Sequence, residues 1–293
     1  MLAVSTRALR GRPWLARLLV TTPGGLCHAA ATVNFDNDTQ DALVDSLVKQ
    51  GLVHSPRVDA VLRALDRRDF TFTHMGIPAH VSYRDSQVPI GQGQTICAPS
   101  FHAVCLELLA DHATPGAAVL DVGAGSGYLT ACLSLLVGPE GRAVAMERHE
   151  RLVEQAGQGL FRGLAPILGD VRPQGGAHGV AASTSARSGG APLRLHNIQI
   201  FHGNVLDDAA LAAVGAAGGP FDAIHVGATA REVPRGLTEL LRPGGRLVLP
   251  VGPPVGMQGL MVVDKAADGS LACSKVRDVK LPPLAPPNAE RPL

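Results

Sequence analysis

The chain has 293 residues, 46% of them hydrophobic, and its 26 basic and 25 acidic side chains leave a formal charge of +1. That balance excludes a long electrostatic footprint for nucleic acid, and no run of about 18 apolar residues offers a membrane span. Cys27, Cys97, Cys105, Cys132 and Cys273 have no metal-ligand spacing, and their odd number argues against a disulfide framework; reduced thiols in an intracellular protein and no bound metal are expected. In chain order, the first acid is Asp36, preceded by Arg7, Arg10, Arg12 and Arg17 among Ser5, Thr6, Thr21 and Thr22. That is transit-peptide composition, interrupted by Pro13; a plain N-terminal extension is the alternative. Residues 1–35 are therefore set apart from a single domain over 36–293. The compartment is the cytoplasm, or the mitochondrion on the transit-peptide reading.

Leu43, Val44, Leu47 and Val48 form a helical apolar stripe stopped at Gly51. Ser55-Pro56 opens a second helix as N-cap and first residue, with Val58, Val61, Leu62 and Leu65 on its face. From Phe70 to Gln94 no helical period appears, and loop with short extended pieces is expected. Pro99 starts a helix whose buried stripe is Phe101, Val104, Cys105, Leu108 and Leu109, ended by Pro115-Gly116. Cys105 and Cys132 lie on helical stripes and read as plain core.

Ala117 to Val122 is a short apolar run that reads as a buried strand. Gly123, Gly125 and Gly127 then make a turn, and Tyr128 begins a helical pattern. Strand, glycine turn and helix bring backbone N–H groups and a helix N-terminus up to a ligand. Glu147 follows 20 residues after Gly127, at the end of the next apolar run, where an acid can accept from both hydroxyls of a ribose. The dinucleotide pattern G-x-G-x-x-G would place its third glycine at Tyr128. An NAD-linked oxidoreductase stays open at this point, although D-x-G-x-G-x-G, from Asp121 to Gly127, resembles motif I of S-adenosylmethionine-dependent methyltransferases.

After Glu147 a helix through Leu152 and Val153 should fade between Gly157 and Gly163. From about 163 to 195 the apolar pattern collapses, and a mobile insertion is expected, with residues 170–192 dispensable. Ile198 to Phe201 is a strand ending at Gly203-Asn204, and Asp222 to Val226 is another. Pro234 opens a short helix. Pro243-Gly244-Gly245 turns the chain into a strand from Arg246 to Val251. Leu260–Val263 and Leu271–Val279 read as a hairpin around Asp268-Gly269, and residues 282–292 as frayed. Strands alternating with helices predict an α/β fold with a doubly wound, mostly parallel, Rossmann-like sheet.

Four segments, in order, carry a resemblance: Gln94-Thr95-Ile96-Cys97-Ala98-Pro99-Ser100-Phe101-His102, Leu120 to Gly127, Phe221-Asp222-Ala223-Ile224-His225-Val226-Gly227-Ala228, and Leu241 to Gly252. From about Gln40 to Leu284 the chain resembles the protein-L-isoaspartate (D-aspartate) O-methyltransferases. The resemblance implies a methyltransferase-type sheet with a strand exchange at its C-terminal end, N-terminal helices over the active site, and S-adenosyl-L-methionine as cofactor. It implies a monomer that methylates isoaspartyl peptides and proteins, with neither nucleic acid nor membrane as partner.

By the same resemblance, Asp121, Gly123, Gly125 and Gly127 hold the methionine end of the cofactor and Glu147 takes the ribose hydroxyls. Gly203 and Asn204 lie by the adenine, with His102 and Gln258 near the cofactor. Thr95, Ile96 and Cys97 line the substrate carboxylate, and His225 and Val226 stand on the substrate side. Read without the resemblance, His225 at a strand end is equally a core histidine. The family usually carries Ser where Cys97 stands and Asp where Asn204 stands. Those departures raise a second possibility, a recognition module that binds cofactor and modified peptides without turnover.

Overall fold

The computed structural model describes residues 37–71, 78–169 and 193–285. The N-terminal extension and the segment 170–192 expected to be dispensable lie outside the described residues.

Two helices, α1 (Gln40–Lys49) and α2 (Pro56–Ala64), open the fold. Thr39 caps α1 by accepting the Ala42 N–H. Ser55 stands at the N-cap of α2 but its side chain makes no cap bond. The buried Glu107 carboxylate instead accepts from the His54 and Ser55 N–H groups, both at 2.8 Å. Arg57 on α2 donates to the carbonyls of Ala110, Ala113 and Leu136.

Between α2 and the next helix the expected loop holds two 3-10 turns, Arg67–Phe70 and Ala79–Tyr83. It also holds a small antiparallel pair, β1 (Val88–Gly91) and β2 (Gln94–Ile96). Helix α3 (Pro99–Leu109) stops before the expected Pro115-Gly116, because Ala113 N–H closes a last turn on the Leu109 carbonyl at 2.8 Å.

The nucleotide-type unit follows: β3 (Ala118–Val122), α4 (Tyr128–Val137), β4 (Arg142–Glu147) and α5 (Glu150–Leu168). Helix α5 does not fade at its glycines. It runs 19 residues, because those glycines give close approach to neighbours. A Cβ on Gly163 would stand 2.7 Å from the Phe70 ring, and one on Gly157 2.6 Å from Leu193. Within the span 163–195 expected as a mobile insertion, residues 163–168 instead belong to α5, and Leu193–Leu195 form strand β5.

The remaining elements are β6 (Ile198–His202), α6 (Asp208–Gly218), β7 (Phe221–Val226), α7 (Arg235–Leu240), β8 (Leu241–Val251), β9 (Gln258–Lys265) and β10 (Leu271–Val279). Strand β8 begins five residues before the expected Arg246. Pro243-Gly244-Gly245 is absorbed as an irregularity in its pairing with β7, with Gly244 at φ +84°. Residues 282–285 are pinned rather than frayed. Thr229 N–H donates to the Pro282 carbonyl and Leu284 N–H to the Thr229 carbonyl, both at 2.8 Å.

The sheet order is β10-β9-β8-β7-β3-β4-β6-β5. The strands β8, β7, β3, β4 and β6 are parallel, while β9, β10 and β5 are antiparallel to their neighbours. Apolar side chains fill both faces of this sheet. One core joins it to α1–α5 and the other to α6 and α7. The chain leaves β3 for β4 on one side and later returns to β7 on the other, so the crevice beyond the carboxyl end of β3 is the topological switch point.

Candidate active site

At that switch point the chain turns through Gly123, Gly125 and Gly127, with φ of +80°, +55° and +84°. Only glycine adopts three such angles in sequence without strain. Side chains would also be crowded: a Cβ on Gly125 would lie 3.2 Å from Ile90, and one on Gly127 3.3 Å from Ala156 and Leu160. The N–H groups of Gly123 and Ala124 donate to the Met146 carbonyl, which ties the turn to the end of β4.

Glu147 closes β4 and is buried. Its Oε2 accepts the Gly125 N–H and its Oε1 the His149 N–H, both at 2.9 Å. Burial pushes this carboxyl above the ordinary glutamate value, and the N–H groups of His149 and Gly125 partly oppose that. Each oxygen keeps a second lone pair for a further donor.

Above the turn lies a cavity of about 480 Å³, within the range for cofactor-sized ligands. Of the residues singled out from the sequence, Thr95, Cys97, Gly123, Gly125, Glu147, Gly203 and Asn204 line it. Gly227 and Ala228 line it beyond β7, and Gln92, Gln94, Arg148 and the segment 282–285 are among the other residues of its wall. Gln94, Gly227 and Ala228 stand in the segments that carry the resemblance, whereas no local pattern marks Gln92, Arg148 or residues 282–285 as site residues. Asn204 donates from Nδ2 to the Ala285 carbonyl at 2.9 Å and accepts the Leu206 N–H at 2.9 Å. Burial pushes the Cys97 thiol up to about 12, so at neutral pH it is an S–H group.

The other expected site residues stand behind this wall. Asp121 is 2% exposed; its Oδ2 accepts the Thr130 hydroxyl at 2.6 Å and its Oδ1 faces His225 Nδ1 at 2.8 Å. A carboxylate can only accept, so His225 Nδ1 carries the hydrogen. Nε2 is buried without a hydrogen-bond partner. Ile96 and Val226 are buried beside the wall residues Cys97 and Gly227. Gly127 packs against α5 as the N-cap of α4.

His102 is also buried. Its ring lies 5.3 Å from that of Tyr128, and its Nδ1 is 3.5 Å from Arg67 Nη1. Burial, with Arg67 adding to it, pushes its imidazole well below the ordinary histidine value, which keeps it neutral. Gln258 does not face the cavity. It donates to the Pro253 carbonyl and accepts the Leu281 N–H, both at 3.0 Å, so it shapes the chain just before the lining segment 282–285.

Sequence reasoning passed over Arg67, which stands in a run of charges from Asp66 to Asp69. The guanidinium is fully buried. Nε donates to the Ser82 carbonyl at 2.9 Å and Nη2 to the Cys97 carbonyl at 2.8 Å. The available signal is its bracketing by apolar Leu65 and Phe70.

A family model for protein-L-isoaspartate(D-aspartate) O-methyltransferases matches residues 38–179 and 200–288. A protein-L-isoaspartate O-methyltransferase of Triticum aestivum is 40% identical over 255 residues, covering 86% of this chain and 94% of its own. Protein-L-isoaspartate O-methyltransferase 1 of Arabidopsis thaliana is 37% identical over 250 residues, covering 85% and 92%. Among solved structures, a Plasmodium falciparum chain assigned to the protein-L-isoaspartate O-methyltransferases, in complex with S-adenosyl-L-homocysteine, superposes with a TM-score of 0.67. It is 25% identical and covers 85% of this chain and 99% of its own. With a matched model over most of its length and relatives of this similarity, the chain belongs to the protein-L-isoaspartate(D-aspartate) O-methyltransferase family.

Proposed function

We propose that this protein transfers the methyl group of S-adenosyl-L-methionine to the free α-carboxylate of isoaspartyl, and D-aspartyl, residues in peptides and damaged proteins, the step that starts their repair. The observation that carries this reading is one cavity with two chemically different walls. The glycine turn, Glu147 and Gly203-Asn204 supply the first set of lining residues, and Thr95 and Cys97 the second.

The first wall fits the cofactor. The glycine turn leaves room for its methionine end, and the free lone pairs of Glu147 suit the ribose hydroxyls. Asn204 Oδ1 already accepts one N–H, so its second lone pair is what remains for the adenine amine. Asp121 acts one layer back, as the group that holds the His225 ring. When bound, the cofactor supplies a methyl group on a cationic sulfonium.

The nucleophile asks little of the protein. An α-carboxylate with a pKa near ~4 is already ionised at neutral pH, so no general base is needed. The chain has to align oxygen, methyl carbon and sulfur and keep water out; such orientation supplies roughly 7–11 kcal/mol of a barrier. The second wall does this through Thr95, the Cys97 S–H and nearby backbone N–H groups. The buried carboxylate Asp121 accepts from Thr130 and His225 and does not line the cavity, which agrees with a reaction that needs no proton relay.

The substrate partners are isoaspartyl peptides and proteins, taken by a monomer, with neither nucleic acid nor membrane involved. Among the described residues no helix is long and apolar enough to cross a membrane. The cytoplasm, or the mitochondrion if residues 1–35 act as a transit peptide, is the proposed compartment. An NAD-linked oxidoreductase is disfavoured because the third dinucleotide glycine is replaced by Tyr128, whose ring is buried against Phe70 and His102.

The test is methyl transfer to one isoaspartyl peptide and to its normal aspartyl counterpart, by wild type, Cys97→Ser and Cys97→Ala. Wild type should methylate only the isoaspartyl form. The thiol is a weak donor, so serine should raise kcat/KM by roughly 2- to 12-fold, the equivalent of one neutral hydrogen bond. Alanine should lower it modestly. If all three bind cofactor and peptide but transfer nothing, the protein is a recognition module and the enzymatic reading fails.

A further inference from the structure

Arg67 is a cation with no anion of its own. Its side chain is fully buried, and among the described residues it makes no ion pair. Its nitrogens end on two carbonyls, of Ser82 and Cys97, and face the neutral His102 ring. The Tyr128 ring lies 5.8 Å from its Cζ and offers only a cation–π contact.

Nearby acids are committed elsewhere. Asp66 accepts the Tyr83 hydroxyl, Asp85 the Ser100 N–H, and Asp121 both Thr130 and His225. Burial pushes the guanidinium down only to about 10, so it stays charged at neutral pH. A buried charge is retained at a cost unless something complements it. The wall it underlies is the one where Cys97 meets the cavity.

We propose that Arg67 is the buried counter-charge for the substrate: it makes the cavity wall at Cys97 select an ionised carboxylate over a neutral group of the same shape. Arg67 touches no substrate atom; it acts through the potential at that wall and through its grip on the Cys97 carbonyl, as a positioning residue. The inference rests on the reading that the isoaspartyl α-carboxylate lies against Thr95 and Cys97. It also gives the reaction a direction. Methylation turns the anion into a neutral ester, so the product loses the attraction that held the substrate.

The experiment measures binding of two peptides to the full-length protein saturated with S-adenosyl-L-homocysteine. One carries isoaspartate, and the other carries the α-carboxamide at the same residue. Wild type should prefer the carboxylate by at least roughly ten-fold, the scale of one complementary charge at low effective dielectric. Added salt should leave that preference largely intact, because a buried cation is poorly screened. Arg67→Lys keeps the charge and should keep most of the preference. Arg67→Gln keeps donors without charge and should lose it, raising KM for the isoaspartyl peptide far more than it changes kcat or cofactor affinity.

Equal affinity of wild type for the two peptides would overturn the proposal, even if no Arg67 variant folds. Folded Lys and Gln variants with the same preference would overturn it too, and would leave Arg67 as a clamp on the Cys97 carbonyl. If wild type binds neither peptide, the functional reading beneath it falls as well. Retained binding and methylation with no carboxylate preference would sink the counter-charge alone.

Discussion

Glu147 holds the glycine turn from one side and presents lone pairs to the cavity from the other, so its charge matters to two processes with opposite sign. Burial raises its carboxyl above the ordinary value, and the folded state therefore keeps this proton to higher pH than the unfolded chain does. Between the two values the native state binds more protons, so this residue's contribution to stability falls as pH rises through that window. Ribose hydroxyls donate to the anion, so cofactor binding should instead weaken as pH falls through the raised value. Calorimetry of S-adenosyl-L-homocysteine from neutral to mildly acidic pH should show wild type losing affinity above the point where an ordinary glutamate titrates. Glu147→Gln should bind more weakly at neutral pH, by roughly 1.5–3 kcal/mol, with that pH dependence gone, so that the difference narrows as pH falls. A wild-type affinity that is flat over this range would remove Glu147 from the ribose. The place of Glu147 at the cavity could be read from its distance to the glycine turn, because the strand and turn that place it are local. Asp121 was another matter: nothing in the chain marks it as already shared between Thr130 and His225, since His225 is 104 residues away.

Helix α5 shows where reading the sequence by composition goes astray at the scale of an element. Three glycines between 157 and 163 read as a fading helix, because each costs about 1 kcal/mol against alanine in isolation. In the fold they are contact points. Phe70 packs edge-on to Tyr128, with ring centroids 5.3 Å apart, and the space it needs on its other side is the missing side chain of Gly163. Gly163→Ala should therefore be destabilising despite its better helix propensity. Overpacking of a filled core costs typically 1–3 kcal/mol, and the propensity gain offsets only part of it, so a net loss of about 1–2 kcal/mol in urea unfolding is expected. A stabilised variant would mean that the Phe70 ring yields freely. The helices α1 and α2 were legible because their apolar faces repeat at helical spacing. The extent of α5 was not, since its glycines take their meaning from Phe70 and Leu193, far away in the chain.

At the scale of the molecule, the cavity is closed by the last described stretch of the chain, which composition alone marks as frayed. Residues 282–285 run across the top of the sheet, bonded to Thr229 beyond β7 and to Asn204 beyond β6. Their inner side lines the main cavity, and Pro283, Leu284 and Ala285 also wall a smaller one of about 220 Å³ beside Thr229 and Arg231. The sheet does not need them. The meander β8-β9-β10 is complete by Val279, and Gln258 anchors the chain at Leu281. A chain ended after Leu281 should therefore keep its fold. Among the described residues it forfeits three hydrogen bonds, from Thr229, Leu284 and Asn204, each worth about 0.5–1.5 kcal/mol. The partly exposed setting places the total toward the lower end of that sum. Cofactor affinity should suffer more than stability, because removing one wall admits water to the adenine end and frees the Asn204 amide to turn. We expect at least roughly a ten-fold rise in the Kd for S-adenosyl-L-homocysteine, equivalent to about 1.4 kcal/mol, with the far-ultraviolet dichroism of the sheet and helices retained. An unchanged Kd in a folded truncate would show that the glycine turn and Glu147 hold the cofactor without this closure.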